Sequence, residues 1–243
     1  MTTNNQAANV TAALLKIVED RSGILEMGSH LRSTPDQAEK VCLLEAYSIY
    51  QIEHNFVDFE VITDNPGLLH CPDFRIFNDL SWPDRKTATP VLCRLMGAYS
   101  DWSNWNLRQR QAIMKRIILQ YAAKLFPKYL PLPKTDLNDL ASITSFEQFL
   151  GFCRGVNSSL SEVCWINFIF NELELAITER CVNATIMHLT NIADKLSIMP
   201  TEVRTDNVSN INVRLQECLT EIVEIWISAA EINEATNDQL SQD

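Results

Sequence analysis

Asn167 and Glu174 stand seven residues apart in the otherwise apolar run from Ser161 to Glu174, which sets an amide and a carboxylate on one stripe of a helix. Two polar groups on such a stripe must meet partners or solvent, so the pair reads as the wall of a groove or as a hydrogen-bonded core network. The other residues able to do chemistry are scattered. His54 with Asp58, and Glu26 with His30, share a helical face at i, i+4, a spacing that suits a surface hydrogen bond. His70 beside Cys71 has no second ligand pair, and His188 between Met187 and Leu189 reads as structural. No histidine has a glutamate three residues before it, as the di-iron helical enzymes require. A glycine-rich phosphate loop, a zinc spacing and a nucleophile elbow are likewise missing from the sequence. Asn78-Asp79 and Asn138-Asp139 lack the aspartate-rich partner run of helical prenyl-diphosphate sites. Tyr99, Trp102 and Trp105, with Trp82, could line a ligand pocket, although core packing is the simpler reading. No catalytic residue, metal site or cofactor is expected.

The elements that would position these residues are helical, given only six glycines and few hairpin signals. Apolar spacing predicts helices at 9–20 and 22–31, the second broken near Gly28, and one from Thr34 through Leu43, Tyr47, Tyr50 and Phe56 to about Val61. In that third helix Thr34 is the expected N-cap and Pro35 the first residue. The stretch 68–90 is short and punctuated by Pro72, Pro83 and Pro90. Helices follow at 91–105 and 107–126, the latter carrying Arg108, Arg110, Lys115, Arg116 and Lys124 without one acidic residue. That basic stripe reads as a solvated face, or as one that meets an anionic partner or the acidic chain end at Glu231, Glu234, Asp238 and Asp243. One or two short helices are expected within 135–154, then helices at 159–177, up to 196, and up to 232, with 233–243 a polar acidic tail.

In the closing helix Leu215, Cys218, Leu219, Ile222, Val223, Trp226 and Ile227 recur at helical spacing and give one apolar face that ends on a tryptophan. The order of these residues resembles the 14-3-3 proteins, acidic all-helical phosphopeptide-binding adaptors of about this length. Ile166-Asn-Phe-Ile-Phe-Asn-Glu-Leu-Glu174 is similar to that family's "LNFSVFYYE", and Arg214 to Trp226 to its "LIMQLLRDNLTLW". Cys42 to Tyr47 resembles "LLSVAY", and Val91 to Trp102 resembles "FYLKMKGDYYRY".

The resemblance implies an all-α fold: a single domain, residues 1–232, of about nine antiparallel helices in a concave bundle, with a shortened fourth helix and an insertion before the seventh. It also implies a peptide groove. Asn167 takes the place of the family's groove asparagine, which bonds the peptide backbone, and Glu174 that of its glutamate; Ile166, Cys218 and Trp226 form the apolar wall, and a second groove asparagine falls on Ile222. The phosphate cations are replaced. The third-helix lysine and arginine fall on Ser48 and Asn55, the fifth-helix arginine and tyrosine on Asp101 and Trp102, and Arg94 alone keeps an earlier base. Each charge-assisted hydrogen bond to a phosphate contributes about 1.5–3 kcal/mol, so three missing cations remove roughly a thousandfold in affinity or more.

A formal charge of −11 argues against nucleic-acid binding and anionic membranes. No apolar stretch approaches the ~18 residues of a membrane span, and the first ten residues are unlike a signal peptide. A cytoplasmic chain is therefore expected, with its seven cysteines as free thiols. The reading that results is a non-catalytic adaptor for an unphosphorylated, apolar or basic peptide, expected as a homo- or heterodimer with a 14-3-3-like chain. The alternatives are a structural partner of another 14-3-3-like chain with no ligand site, and an unrelated helical enzyme or small-molecule binder using the Trp102 and Trp105 pocket.

Overall fold

The computed structural model describes residues 3–29, 34–57, 61–130, 138–140, 142–143, 145–159, 164–179, 181–198 and 208–240; the side chains of 3–5, 146, 156–159, 164–167, 197–198, 208–210 and 232–240 are left out. The described residues are mostly helical, with eleven α-helical segments and no strand among them. None of these helices is long and apolar enough to cross a membrane. The chain divides into two compact units: residues 1–106 with 226–243, and residues 107–225.

The first unit holds α1 (Thr3–Glu19), α2 (Leu43–Glu53), the single-turn α3 (Pro66–Leu69) and α4 (Arg75–Asp79), and α5 (Arg85–Ala98), followed by a 3-10 turn at Trp102–Asn104. On α1, Val10, Leu14, Ile17 and Val18 are buried, the i, i+4, i+7, i+8 face that its sequence dictates. All of α2 from Leu43 to Gln51 is buried, including Glu45, Ser48 and Gln51.

Local chemistry sets the ends of these helices, and in several places it overrides periodicity. The helix expected over 22–31 is absent from its described part, where Gly23 and Gly28 both take φ 74°. There the Glu26 amide donates to the Val41 carbonyl (3.0 Å) and the Gly28 amide to Asp79 Oδ1 (2.9 Å), which takes both amides out of a helical ladder. The helix expected from Thr34 to Val61 is only its middle part. Thr34 heads a 3-10 turn, Pro35–Gln37, without a side-chain cap bond. The α-helix instead starts at a capping box, in which the Glu45 carboxylate accepts from the Cys42 amide and the Cys42 sulfur accepts from the Glu45 amide. It stops at Asn55, which adopts φ 57°. There the Phe56 amide donates to the Gln51 carbonyl (2.9 Å) and the Asn55 amide to that of Ile52 (3.1 Å), a Schellman closure with asparagine in the left-handed position.

Between α2 and α5 the described residues form only the short segments α3 and α4 as α-helix. Helix α5 begins at Arg85 rather than Val91, because Asp84 caps it by accepting from the Lys86 amide (3.0 Å) and because Pro90 is held inside the helix.

The second unit holds α6 (Leu107–Gln120), a π-helical turn (Tyr121–Leu125), α7 (Phe126–Tyr129), α8 (Phe146–Ser159), α9 (Cys164–Thr178), α10 (Val182–Ile198) and the first part of α11 (Val208–Leu240), which is counted with the first unit from Trp226 onward. The π turn lies just ahead of Pro127, and the Phe126 amide there reaches back to the Tyr121 carbonyl. Phe170 of α9 packs edge-on against Phe126 and Phe152, at ring-centroid distances of 5.6 and 5.9 Å. The helix of α11 continues to Leu240, through most of the stretch expected to be a tail.

Candidate functional site

Of the residues matched to the phosphate grip, Ser48 is fully buried, and its hydroxyl accepts from the Thr63 amide at 3.0 Å. Asn55 is the left-handed stop of α2. Arg94 is exposed on α5 and lines a cleft of about 380 Å³ with Ala7, Thr11, Leu15, Ala98 and Glu231. Asp101 lies at another cavity, of about 230 Å³. Arg94 and Asp101 therefore line different cavities, and Ser48 and Asn55 line neither. Trp102 is buried, its ring 5.8 Å from Tyr99 and 5.5 Å from Trp105, so these three aromatics form core rather than a pocket wall.

The expected apolar wall of the groove is also internal. Cys218 and Ile222 are closed to solvent in the second unit, and Trp226 is closed to solvent in the first. Trp226 is held edge-on by Phe74 and Phe77, at 5.9 and 5.2 Å, while the Tyr99 hydroxyl donates to its carbonyl at 3.0 Å. These three residues cannot face a peptide in an open groove, because an apolar face at helical spacing reports only that something covers it. Glu174 has found a partner, the Arg154 guanidinium at 2.9 Å. The side chains of Ile166 and Asn167 on α9 lie outside the described residues.

Other candidates have structural employment. Asn78 is a hub: its Oδ1 accepts from the Leu43 amide, its Nδ2 donates to the Glu26 carbonyl and Asp79, and Arg85 donates to its carbonyl at 2.9 Å. His188 Nδ1 lies 3.1 Å from Glu172 Oε2, which also accepts from Asn191 Nδ2 at 2.7 Å. That network on α9 and α10 went unread in the sequence because Glu172 and His188 are far apart along the chain. No group of three His, Cys, Asp or Glu residues able to hold a metal ion occurs among the described residues.

The Asp101 cavity is built from four short pieces of the first unit. Helix α2 supplies Tyr47, Tyr50 and Gln51 from one face, and its closure turn supplies Phe56 and Val57. Leu69 and the left-handed His70 come from the end of α3, Ser100, Asp101, Ser103 and Asn104 from the turn after α5, and Gln6 and Val10 from α1. Tyr47 and Tyr50 lie nearly parallel with centroids 5.9 Å apart, and Phe56, 65% exposed, stands 6.0 Å from Tyr50 at the mouth. The Tyr47 hydroxyl donates to the Ser100 carbonyl at 3.3 Å. Burial pushes the Tyr47 phenol up, with Cys71, Tyr50 and Asp101 adding to the effect, so it stays a neutral donor. Asp101 accepts from Gln6 Nε2 (3.2 Å) and Asn104 Nδ2 (3.0 Å), both on Oδ1. The sequence places Tyr47, Tyr50 and Phe56 along one helix; the i, i+3 tyrosine pair is the available signal for a cavity.

No protein-family model, curated protein or solved structure matches this chain.

Proposed function

We propose that the chain is a divergent 14-3-3-like, non-catalytic binding protein that takes an unphosphorylated apolar or basic peptide segment in the cavity beside Asp101. The observation that supports this reading is the placement of a carboxylate in an aromatic-walled cavity, at the position the resemblance assigns to a phosphate-gripping arginine. A carboxylate about 4 Å from a phosphate oxygen, at an effective dielectric near 20, repels it by about 4 kcal/mol per unit charge. The same carboxylate favours a cation. The aromatic wall supplies apolar contact for a side chain that enters with it.

A peptide array of matched phosphorylated and plain sequences, probed with the wild type and Asp101→Arg, tests the proposal. The wild type is expected to retain plain peptides without preference for the phosphorylated members, and Asp101→Arg to shift retention toward them. A wild-type preference for phosphopeptides overturns it.

A further inference from the structure

We propose that the Asp101 cavity is a receptor for an alkylammonium group, the head of a lysine or of an N-methylated lysine; its peptide origin rests on the binding reading above, whereas its chemistry stands on the cavity alone. Three observations carry it.

The first is the charge. Both hydrogen bonds to the Asp101 carboxylate end on Oδ1, and no Lys or Arg pairs with it among the described residues. Oδ2 is left as an acceptor for an incoming donor. Asp101 is also the one carboxylate among the described residues that line the cavity, which include no lysine or arginine. The second is the wall. Tyr47, Tyr50 and Phe56 supply π-systems along the cavity, and an aromatic ring attracts a cation most strongly where water is excluded, as at its buried tyrosine side. The third is size. A space of about 230 Å³ is smaller than the ~300–1,000 Å³ of pockets for drug-sized ligands, and admits one head group rather than a whole small molecule.

The geometry also discriminates among cations. A guanidinium is best held by two free carboxylate oxygens in a fork, and here Oδ1 is already occupied by Gln6 and Asn104. An ammonium needs only one acceptor, and its methyl or methylene groups can lie on the rings. A divalent metal would need further charged or imidazole ligands, and no group of three His, Cys, Asp or Glu residues able to hold one occurs among the described residues.

The test uses the full-length chain, labelled with nitrogen-15, and three salts at matched ionic strength: methylammonium chloride, tetramethylammonium chloride and sodium chloride. Saturable amide shifts at Gln6 and at Ser100 to Asn104 are expected with the two ammonium ions and not with sodium. Asp101→Asn should weaken methylammonium binding about tenfold, as expected for a lost hydrogen bond to a charged group. Phe56→Ala, at an exposed position that leaves folding intact, should weaken tetramethylammonium more than methylammonium. Shifts indistinguishable from those of sodium chloride overturn the proposal, as do shifts that survive both substitutions. Tighter binding of tetramethylammonium assigns the methylated source, and tighter binding of methylammonium the plain lysine. Should array peptides bind while the ammonium ions do not, the ammonium pocket falls and the peptide reading stands; the reverse pattern removes the peptide reading and leaves the pocket.

Discussion

Gly97 of α5 lies so close to Thr11 of α1 that a Cβ on Gly97 would stand 2.2 Å from the threonine hydroxyl oxygen and 2.7 Å from the Ala7 carbonyl. The two helices approach at backbone distance, and within α1 the Thr11 hydroxyl donates to the Ala7 carbonyl at 2.8 Å, which fixes it beside Gly97. Gly97→Ala must push them apart. Overpacking of this kind costs about 1–3 kcal/mol, and here the obstacle includes backbone, which cannot rotate away. Denaturant unfolding of Gly97→Ala should show that loss, and the double variant with Thr11→Ala should recover part of it. The remainder belongs to the Ala7 carbonyl. A Gly97→Ala protein as stable as the wild type contradicts the close approach of α1 and α5.

Asn55 offers a second test, because the resemblance assigns it to a binding position and the backbone assigns it to a helix stop. At φ 57° a side chain with a branched Cβ is strained, whereas glycine is not. Asn55→Gly should therefore leave stability within about half a kcal/mol of the wild type, and Asn55→Val should cost about 1–2 kcal/mol. The order Gly above Val is the check. Thermal melts in which the two variants coincide would remove the left-handed closure from the account of α2.

How legible the molecule is from sequence follows the range of the interactions involved. The periodic face of α11 predicted a helix, and Leu215, Cys218, Leu219, Ile222, Val223, Trp226 and Ile227 are all buried. Periodicity reports that a face is covered without naming what covers it, so five positions read as groove lining, Ser48, Trp102, Cys218, Ile222 and Trp226, are core. Helix ends were misplaced wherever a side chain competed with the pattern. Cys42 is an unusual cap, asparagine is a weaker stop signal than glycine, and Pro90 is tolerated inside α5. The cavity at Asp101 was half visible: Asp101 was picked out by the resemblance, as the residue in place of an arginine, but Gln6 and His70 reach it only through contacts distant in the chain. Such contacts leave no local pattern.

Glu221 links α11 to the segment after the π turn in the second unit and makes its stability respond to pH. Its Oε2 accepts from Lys128 Nζ at 2.9 Å and from the Tyr129 hydroxyl at 2.7 Å. Burial opposes the ionised carboxylate, but these two hydrogen bonds and the lysine charge outweigh it and hold Glu221 below the usual glutamate range. A carboxyl whose folded value lies under its unfolded one binds its proton more readily in the unfolded chain. Its stabilising contribution is therefore complete above the ordinary glutamate value and is lost as the pH falls through the depressed one. The Glu221 side chain is 35% exposed, so solvent and salt screen the interaction and the effect should shrink at high ionic strength. Glu221→Gln keeps the shape and removes the titration. Denaturation midpoints followed from neutral into acid pH should fall less steeply for Glu221→Gln than for the wild type, with the two curves drawing together in concentrated salt. Parallel curves at low salt would show that the Lys128 and Tyr129 contacts with Glu221 are not made in solution.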